Sequence, residues 1–187
     1  MEDIAEKKQA IFESTLALIK DHGFHGAPMS LVAKNAGVAA GTIYHYFESK
    51  EQLICGLYEY NRERVMSVIQ PILEEEGPLR DKFFRTWTSL YKFYIQHPNV
   101  LIFFEQFINS PYNADKYPNH FRGELYTFFA GGIKSGQLKS IKPEMMLVLV
   151  MGSVSSIAKL NLFGKISFSK TDLHRVVEIL WEGISVS

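Results

Sequence analysis

At 187 residues, with 47% hydrophobic and 21% charged side chains, the chain has room for one large domain or two small ones and enough apolar material for a sizeable core. Its single cysteine, Cys55, excludes an internal disulfide framework and cysteine-based zinc sites; twenty basic against twenty acidic residues give a formal net charge of zero, which argues neither for nor against nucleic acid. The N-terminal run MEDIAEKKQA lacks the apolar core of a signal peptide, and the most apolar stretch, Met145 to Ile157, reads as too short and too rich in Gly and Ser to span a bilayer, so a soluble cytoplasmic protein is expected.

Proline and glycine divide the sequence into helix-sized pieces, and no alternating run is long enough for a strand. A first helix is predicted from about Asp3 to His22, with Ile4, Ile11, Phe12, Leu16 and Ile19 at helical spacing and Gly23 as its stop. A short helix starts at Pro28 and ends before Gly37; a second covers about Ala40 to Tyr46. A long helix follows from Lys50 to about Glu75, with Ser49 as N-cap and Gln52 as its capping-box partner. Further helices are predicted from Pro78 to His97, from Pro98 to about Asn109, from Pro118 to near Gly136 and from Pro143 to about Phe163, with a loop over Ser110 to Asn119. Ser169 caps the last helix, paired with Asp172. The expectation is an all-α chain of about nine helices in two parts, three N-terminal helices over residues 1–48 and a helical C-terminal part over 49–187, the boundary falling where the long helix begins.

The stretch from Ser30 to Leu53, SLVAKNAGVAAGTIYHYFESKEQL, carries the most information. Val32, Ala33 and Ala36 give the first short helix a small apolar face, and Ala33 lets a second helix cross close by. Gly37 sits at the sharp turn, Val38 plugs it, and Ile43 and Phe47 form the inward face of the second helix. Two short helices joined by a tight glycine turn form a DNA-reading unit, although any short helical hairpin needs a similar turn. The outward face then offers Ala40, Gly41, Thr42, Tyr44, His45 and Tyr46, whose hydroxyls and imidazole suit phosphates or base edges.

This run resembles the signature of the TetR family in Val32, Ala33, Ala36, Gly37, Val38, Gly41, Thr42, Ile43, Tyr44, Tyr46, Phe47, Ser49, Lys50, Glu51 and Leu53, with His22–Phe24 matching the loop after the first helix. The resemblance covers about residues 5–57. It implies that Thr42 and His45 face bases or phosphates, that Tyr44 and Tyr46 contact phosphates unless one of them packs, that Lys50 pairs with a phosphate, and that Gly41 permits close backbone approach. It further implies a double-stranded DNA operator and repression relieved by ligand. Two positions depart from the family pattern: Ala27 and Pro28 stand where a hydroxyl usually opens the first short helix, and Ala39 stands at the cap of the second. Ser30 or backbone N–H groups substitute at the former. Residues 1–50 hold five Lys against six acids, a balance of −1, so the phosphate grip leans on hydroxyls and helix ends rather than a basic patch.

Aromatics are 13% of the chain and most lie after residue 80. They read either as the core of a helical bundle or, collectively, as the lining of a cavity for a small apolar ligand. The predicted wall is Trp87, Tyr91, Phe103, Phe107, Tyr126 and Met151. Glu105 could face a cationic ligand, or lie on the solvated side, since it does not share the face of Phe103 and Phe107. The last two helices present Val154, Ile157, Leu173, Val177, Leu180 and Trp181 as the surface of a homodimer, with burial inside one chain as the alternative; the resemblance favours the dimer. Cys55 reads as a small packed residue rather than a redox sensor. No catalytic motif, cofactor or metal spacing is found, so an enzyme is not expected. The reading is a ligand-responsive DNA-binding regulator without cofactor or membrane partner. A regulator or architectural protein that senses nothing, and an activator, stay open.

Overall fold

The computed structural model describes residues 2–113 and 123–186. Among them nine α-helices follow in order: α1 (Glu2–His22), α2 (Met29–Asn35), α3 (Ala40–Tyr46), α4 (Lys50–Glu74), α5 (Leu79–Gln96), α6 (Pro98–Ile108), α7 (Glu124–Lys134), α8 (Pro143–Phe163) and α9 (Lys170–Ile184). The all-α expectation holds, and most helix ends fall within a residue of those predicted. The one strand-like feature among the described residues is an isolated bridge between Leu138 and Ser185. Pro118, expected to open α7, and the aromatic Phe121 lie outside the described residues.

Both predicted helix caps form, one of them with a shift. At α9 the Ser169 Oγ accepts from the Asp172 backbone N–H at 3.1 Å, and the Asp172 carboxylate accepts from the Ser169 N–H at 2.9 Å. At α4 the Ser49 Oγ accepts from the Gln52 N–H at 3.1 Å, but the Gln52 amide oxygen reaches back one residue further than expected, to the Glu48 N–H. Both arrangements satisfy donors that a helix start otherwise leaves unpaired.

The chain forms two compact units. The first comprises Met1–Glu63 and Asn99–Asp115, the second Arg64–Pro98 and Lys116–Ser187, so α4 contributes to both and α6 belongs with the first. In the first unit Ile11, Phe12, Leu16 and Ile19 of α1, Val32 and Ala33 of α2, Ile43 of α3, Phe47, and Leu53, Ile54 and Leu57 of α4 are all buried. Each large side chain removed from water contributes about 1.5–3 kcal/mol. Phe12 sits 5.3 Å from Phe47 and stacks on Tyr60 at 4.9 Å. The Ser14 hydroxyl donates to the Val32 carbonyl at 3.0 Å and pins α2 to α1.

In the second unit α5 packs against α8 and α9, and α7 packs against α8. Phe83, Trp87 and Leu90 of α5, Phe129 of α7, Met146, Val150, Val154 and Ala158 of α8, and Val177 and Ile184 of α9 make the core. The α8 residues recur every four positions, one stripe of a helix. This helix runs 21 residues, and by length and composition alone it is apolar enough to cross a membrane. The expectation that its apolar stretch is too short is corrected on that count: Pro143 and Phe163 extend it at both ends. Its buried stripe packs against α5 and α7, while most of its apolar surface is not covered within the described residues.

Candidate nucleic-acid interface

The turn between α2 and α3 is built from backbone bonds that a glycine makes possible. Gly37 has φ +68°, in the region that a β-carbon disfavours. With Gly37 so placed, its N–H donates to the Lys34 carbonyl at 3.2 Å and the Val38 N–H donates to the Ala33 carbonyl at 3.0 Å. That pair of bonds is the Schellman closure of a helix C-terminus, and it satisfies carbonyls that α2 would leave unpaired. The chain then extends through Ala39 (φ −64°, ψ 147°) into α3. Neither α2 nor α3 has a side-chain cap, as Pro28 and Ala39 foretell.

Within α3 the inward and outward faces separate cleanly. Ile43 is fully buried and the following Phe47 nearly so. Ala40, Gly41, Tyr44 and His45 are exposed, Tyr44 by 55%, and Ser30 of α2 is exposed as well. Thr42 and Tyr46 are half-buried, and Tyr46 leans on Phe47 at 6.5 Å, so of the two tyrosines it is the one that packs. A β-carbon on Gly41 would meet nothing within 4 Å. Nothing among the described residues therefore requires glycine there.

Lys50 has a role the sequence did not signal. Its ammonium donates to the Phe24 carbonyl in the α1–α2 connection, and partial burial holds its pKa below the ordinary lysine value. It ties that corner to the start of α4. Two of its three donors remain for other partners.

The residues expected to wall a ligand cavity divide between the units. Phe103 and Phe107 are fully buried in the first, where Phe107 stacks on Tyr58 at 4.5 Å and Phe103 lies 6.3 Å from Phe24. Trp87 and Tyr91 are buried in the second, stacked at 5.8 Å with rings 8° from parallel, and burial pushes the Tyr91 phenol up. The Trp87 indole N–H donates to the Ser153 hydroxyl at 3.0 Å. Met151 and Tyr126 are half-buried. Beside Trp87, the Thr86 hydroxyl is buried without a hydrogen-bond partner among the described residues. Glu105 is half-buried, off the face shared by Phe103 and Phe107, as expected.

Among the residues expected at a dimer surface, Val154 and Val177 are 0% and 1% exposed within a single chain. They belong to the inner stripes of α8 and α9. Ile157, Leu173, Leu180 and Trp181 are half-buried, Trp181 lying 5.4 Å from Phe83. The exposed stripe of α8 is a different one: Met145, Val148, Leu149, Leu160 and Phe163, each 44–57% exposed, with Gly152 and Ser156 between them. On α9 the most exposed apolar residue is Ile179, at 63%.

Two short helices closed by a glycine turn, packed on a third and leaving the outer face of the second open, define a helix-turn-helix DNA-binding protein. Family models extend this along the chain. The one described as bacterial regulatory proteins, tetR family, matches residues 11–55, and the one described as Tetracyclin repressor-like, C-terminal domain, matches residues 78–185. The chain belongs to the TetR family of bacterial transcriptional regulators, which bind DNA and are not enzymes.

A curated relative from Haemophilus influenzae, an uncharacterized HTH-type transcriptional regulator, is 28% identical over 97% of this chain and 96% of its own length. The RutR transcriptional regulator of Escherichia coli is 24% identical over 97% of this chain and 92% of its own. Among solved structures, a TetR family transcription regulator from Marinobacter aquaeolei VT8 superposes with a TM-score of 0.90, covering 100% of this chain and 99% of its own at 21% identity. FadR from Bacillus subtilis, solved in complex with stearoyl-CoA, superposes at 0.74, covering 93% and 95% at 19% identity.

Proposed function

We propose that this regulator is a cytoplasmic homodimer whose α3 helices read an operator in successive major grooves and which a small apolar ligand releases from that operator. Residues 1–48 serve as the DNA-binding domain and 49–187 as the ligand-binding and dimerisation domain. The observation that carries the reading is the outward face of α3: small at Ala40 and Gly41, hydrogen-bonding at Thr42, Tyr44 and His45, and, apart from the half-buried Thr42, left exposed by the described residues. Ser30, Tyr46 and Lys50 flank it and supply phosphate contacts.

Two α3 helices must be held at a fixed spacing to match a two-fold operator. The exposed apolar stripe of α8 supports a second copy as the spacer: it is too apolar to stay in water, and Gly152 and Ser156 let a partner helix come close. In the second unit, the buried aromatic pair of Trp87 and Tyr91, with half-buried Tyr126 on α7 and Met151 on α8, supports the sensor reading. So does the similarity of fold to FadR, a protein solved with a long acyl chain bound. Ligand then acts by shifting the population between DNA-competent and incompetent arrangements.

The test is fluorescence anisotropy on an operator duplex obtained by in vitro selection, with oleate and stearoyl-CoA as first apolar probes. The expected result is specific binding that falls as probe is added, with a log–log salt slope well short of about −10. No selected duplex would overturn the DNA reading. Specific binding indifferent to every apolar probe would leave a regulator without an apolar ligand.

A further inference from the structure

One side chain joins the two ends of the α2–α3 pair. The chain enters the pair through Phe24–Pro28 and leaves it through Phe47–Ser49 into α4. Across that opening, 26 residues apart in sequence, the half-buried Lys50 ammonium donates to the Phe24 carbonyl. The same carbonyl accepts from the Ala27 N–H at 3.3 Å. The entry corner is itself anchored. Ala27 and Met29 are buried, the Phe24 ring lies 6.3 Å from that of Phe103 on α6, and the Gln106 amide nitrogen of α6 donates to the Ile19 carbonyl at 3.3 Å. All of these residues belong to the first unit. The pair they hold has little support of its own: α2 and α3 have seven residues each and no side-chain cap, and helices so short keep their place through packing.

We propose that Lys50 is a positioning residue for operator recognition: by stapling the exit of the α2–α3 pair to the anchored entry corner, it sets the angle at which α3 meets the base edges. The proposal rests on the reading of α3 as the DNA reader. It goes beyond a phosphate contact at Lys50, which the two remaining donors of the ammonium still allow. The two roles leave different marks on DNA binding. Loss of a phosphate contact weakens binding about equally on every sequence and makes the salt slope shallower by about 0.9. Loss of the staple turns α3 in the groove. Base-edge hydrogen bonds are directional and carry the sequence information, so they are lost first, and it is the preference for the operator that falls.

The experiment measures the affinity of the full-length protein for its selected operator duplex and for a scrambled duplex of the same length, with helical melting followed in each variant. Lys50→Met keeps the length of the side chain and removes its donors. The ratio of the two affinities should fall about tenfold, the scale of a hydrogen bond from a charged donor. Lys50→Arg keeps a charged donor and should retain most of the ratio. Lys50→Gln, shorter and uncharged, repeats the Lys50→Met measurement should the methionine disturb folding. Equal weakening on both duplexes, a lowered melting temperature with the ratio unchanged, or a ratio lost as fully in Lys50→Arg as in Lys50→Met overturns the proposal. A parent chain that selects no duplex sinks it together with the reading of α3; a parent that selects one, with the ratio kept in the variants, sinks this proposal alone.

Discussion

The outer faces of α3 and α8 make the most instructive contrast in this molecule. Both helices bury one stripe in a core and leave the opposite stripe open. On α3 the open stripe is small and polar, with Gly41, Thr42, Tyr44 and His45; on α8 it is Met145, Val148, Leu149, Leu160 and Phe163. A stripe of the first kind is stable in water and waits for a hydrogen-bonding partner. A stripe of the second kind is costly in water and calls for an apolar one. One fold thus separates a polar open face from an apolar one, and the proposed DNA contact and the proposed copy–copy contact can be tested by separate substitutions.

The largest effect should come from α8. Val148→Glu combined with Leu149→Glu would bury two charges at the proposed copy–copy contact, which costs several kcal/mol. Sedimentation should then show a monomer, and operator affinity should fall by about a hundredfold or more. A dimer that persists with full affinity would move the dimer surface away from this stripe. On α3, Gly41→Ala tests whether the glycine serves the chain or its partner. Alanine favours a helix by up to ~1 kcal/mol and meets no neighbour, so thermal stability should hold or rise while operator affinity drops about tenfold. Unchanged affinity would show that the backbone at Gly41 does not approach DNA.

The same contrast explains how much could be read beforehand. The helix-turn-helix was legible because its geometry is local: Gly37, Ala33 and Val38 lie within a few residues of the bonds they close. The outer stripe of α8 was not separable from the inner one, because this helix is apolar on both faces, and on α9 a period of 3.6 identifies one apolar side without saying which of its residues the same chain covers. Hence Val154 and Val177 were expected outside and are found within. The aromatic residues had the same difficulty in another form. Phe103 and Phe107 do share a face, but which unit that face meets depends on Tyr58 and Phe24, distant in sequence. The Lys50 tie to the Phe24 carbonyl left no trace in composition or spacing, because its acceptor is backbone and any residue supplies one.

Smaller effects sharpen the second unit. Thr86→Val exchanges a buried, unpartnered hydroxyl for a methyl of the same shape and should raise the urea midpoint by the equivalent of about 1 kcal/mol. A lowered midpoint would mean that the hydroxyl has a partner in solution. At the start of α9, Ser169→Ala removes the cap and should cost about 1 kcal/mol. The hydroxyl and backbone N–H of Ser169 also hold the Asp172 carboxyl below its ordinary pKa near 3.8. The folded value is therefore the lower one. The stability it brings is complete above pH ~4 and is lost as pH falls through the folded pKa; an acid titration of the S169A variant should show a smaller loss than the parent chain.

The placement of the two tryptophans has an optical consequence. Trp87 is 1% exposed, stacked on Tyr91 and bonded to Ser153, while Trp181 is half-buried against Phe83, and both lie in the second unit. Intrinsic emission excited at the red edge therefore reports on that unit alone and is blind to the reading head. Acrylamide should quench two populations unequally, the Trp181 fraction readily and the Trp87 fraction little. A ligand seated beside Trp87 would announce itself in the blue, protected component, and duplex DNA bound at the first unit would be seen there only as far as the two units communicate.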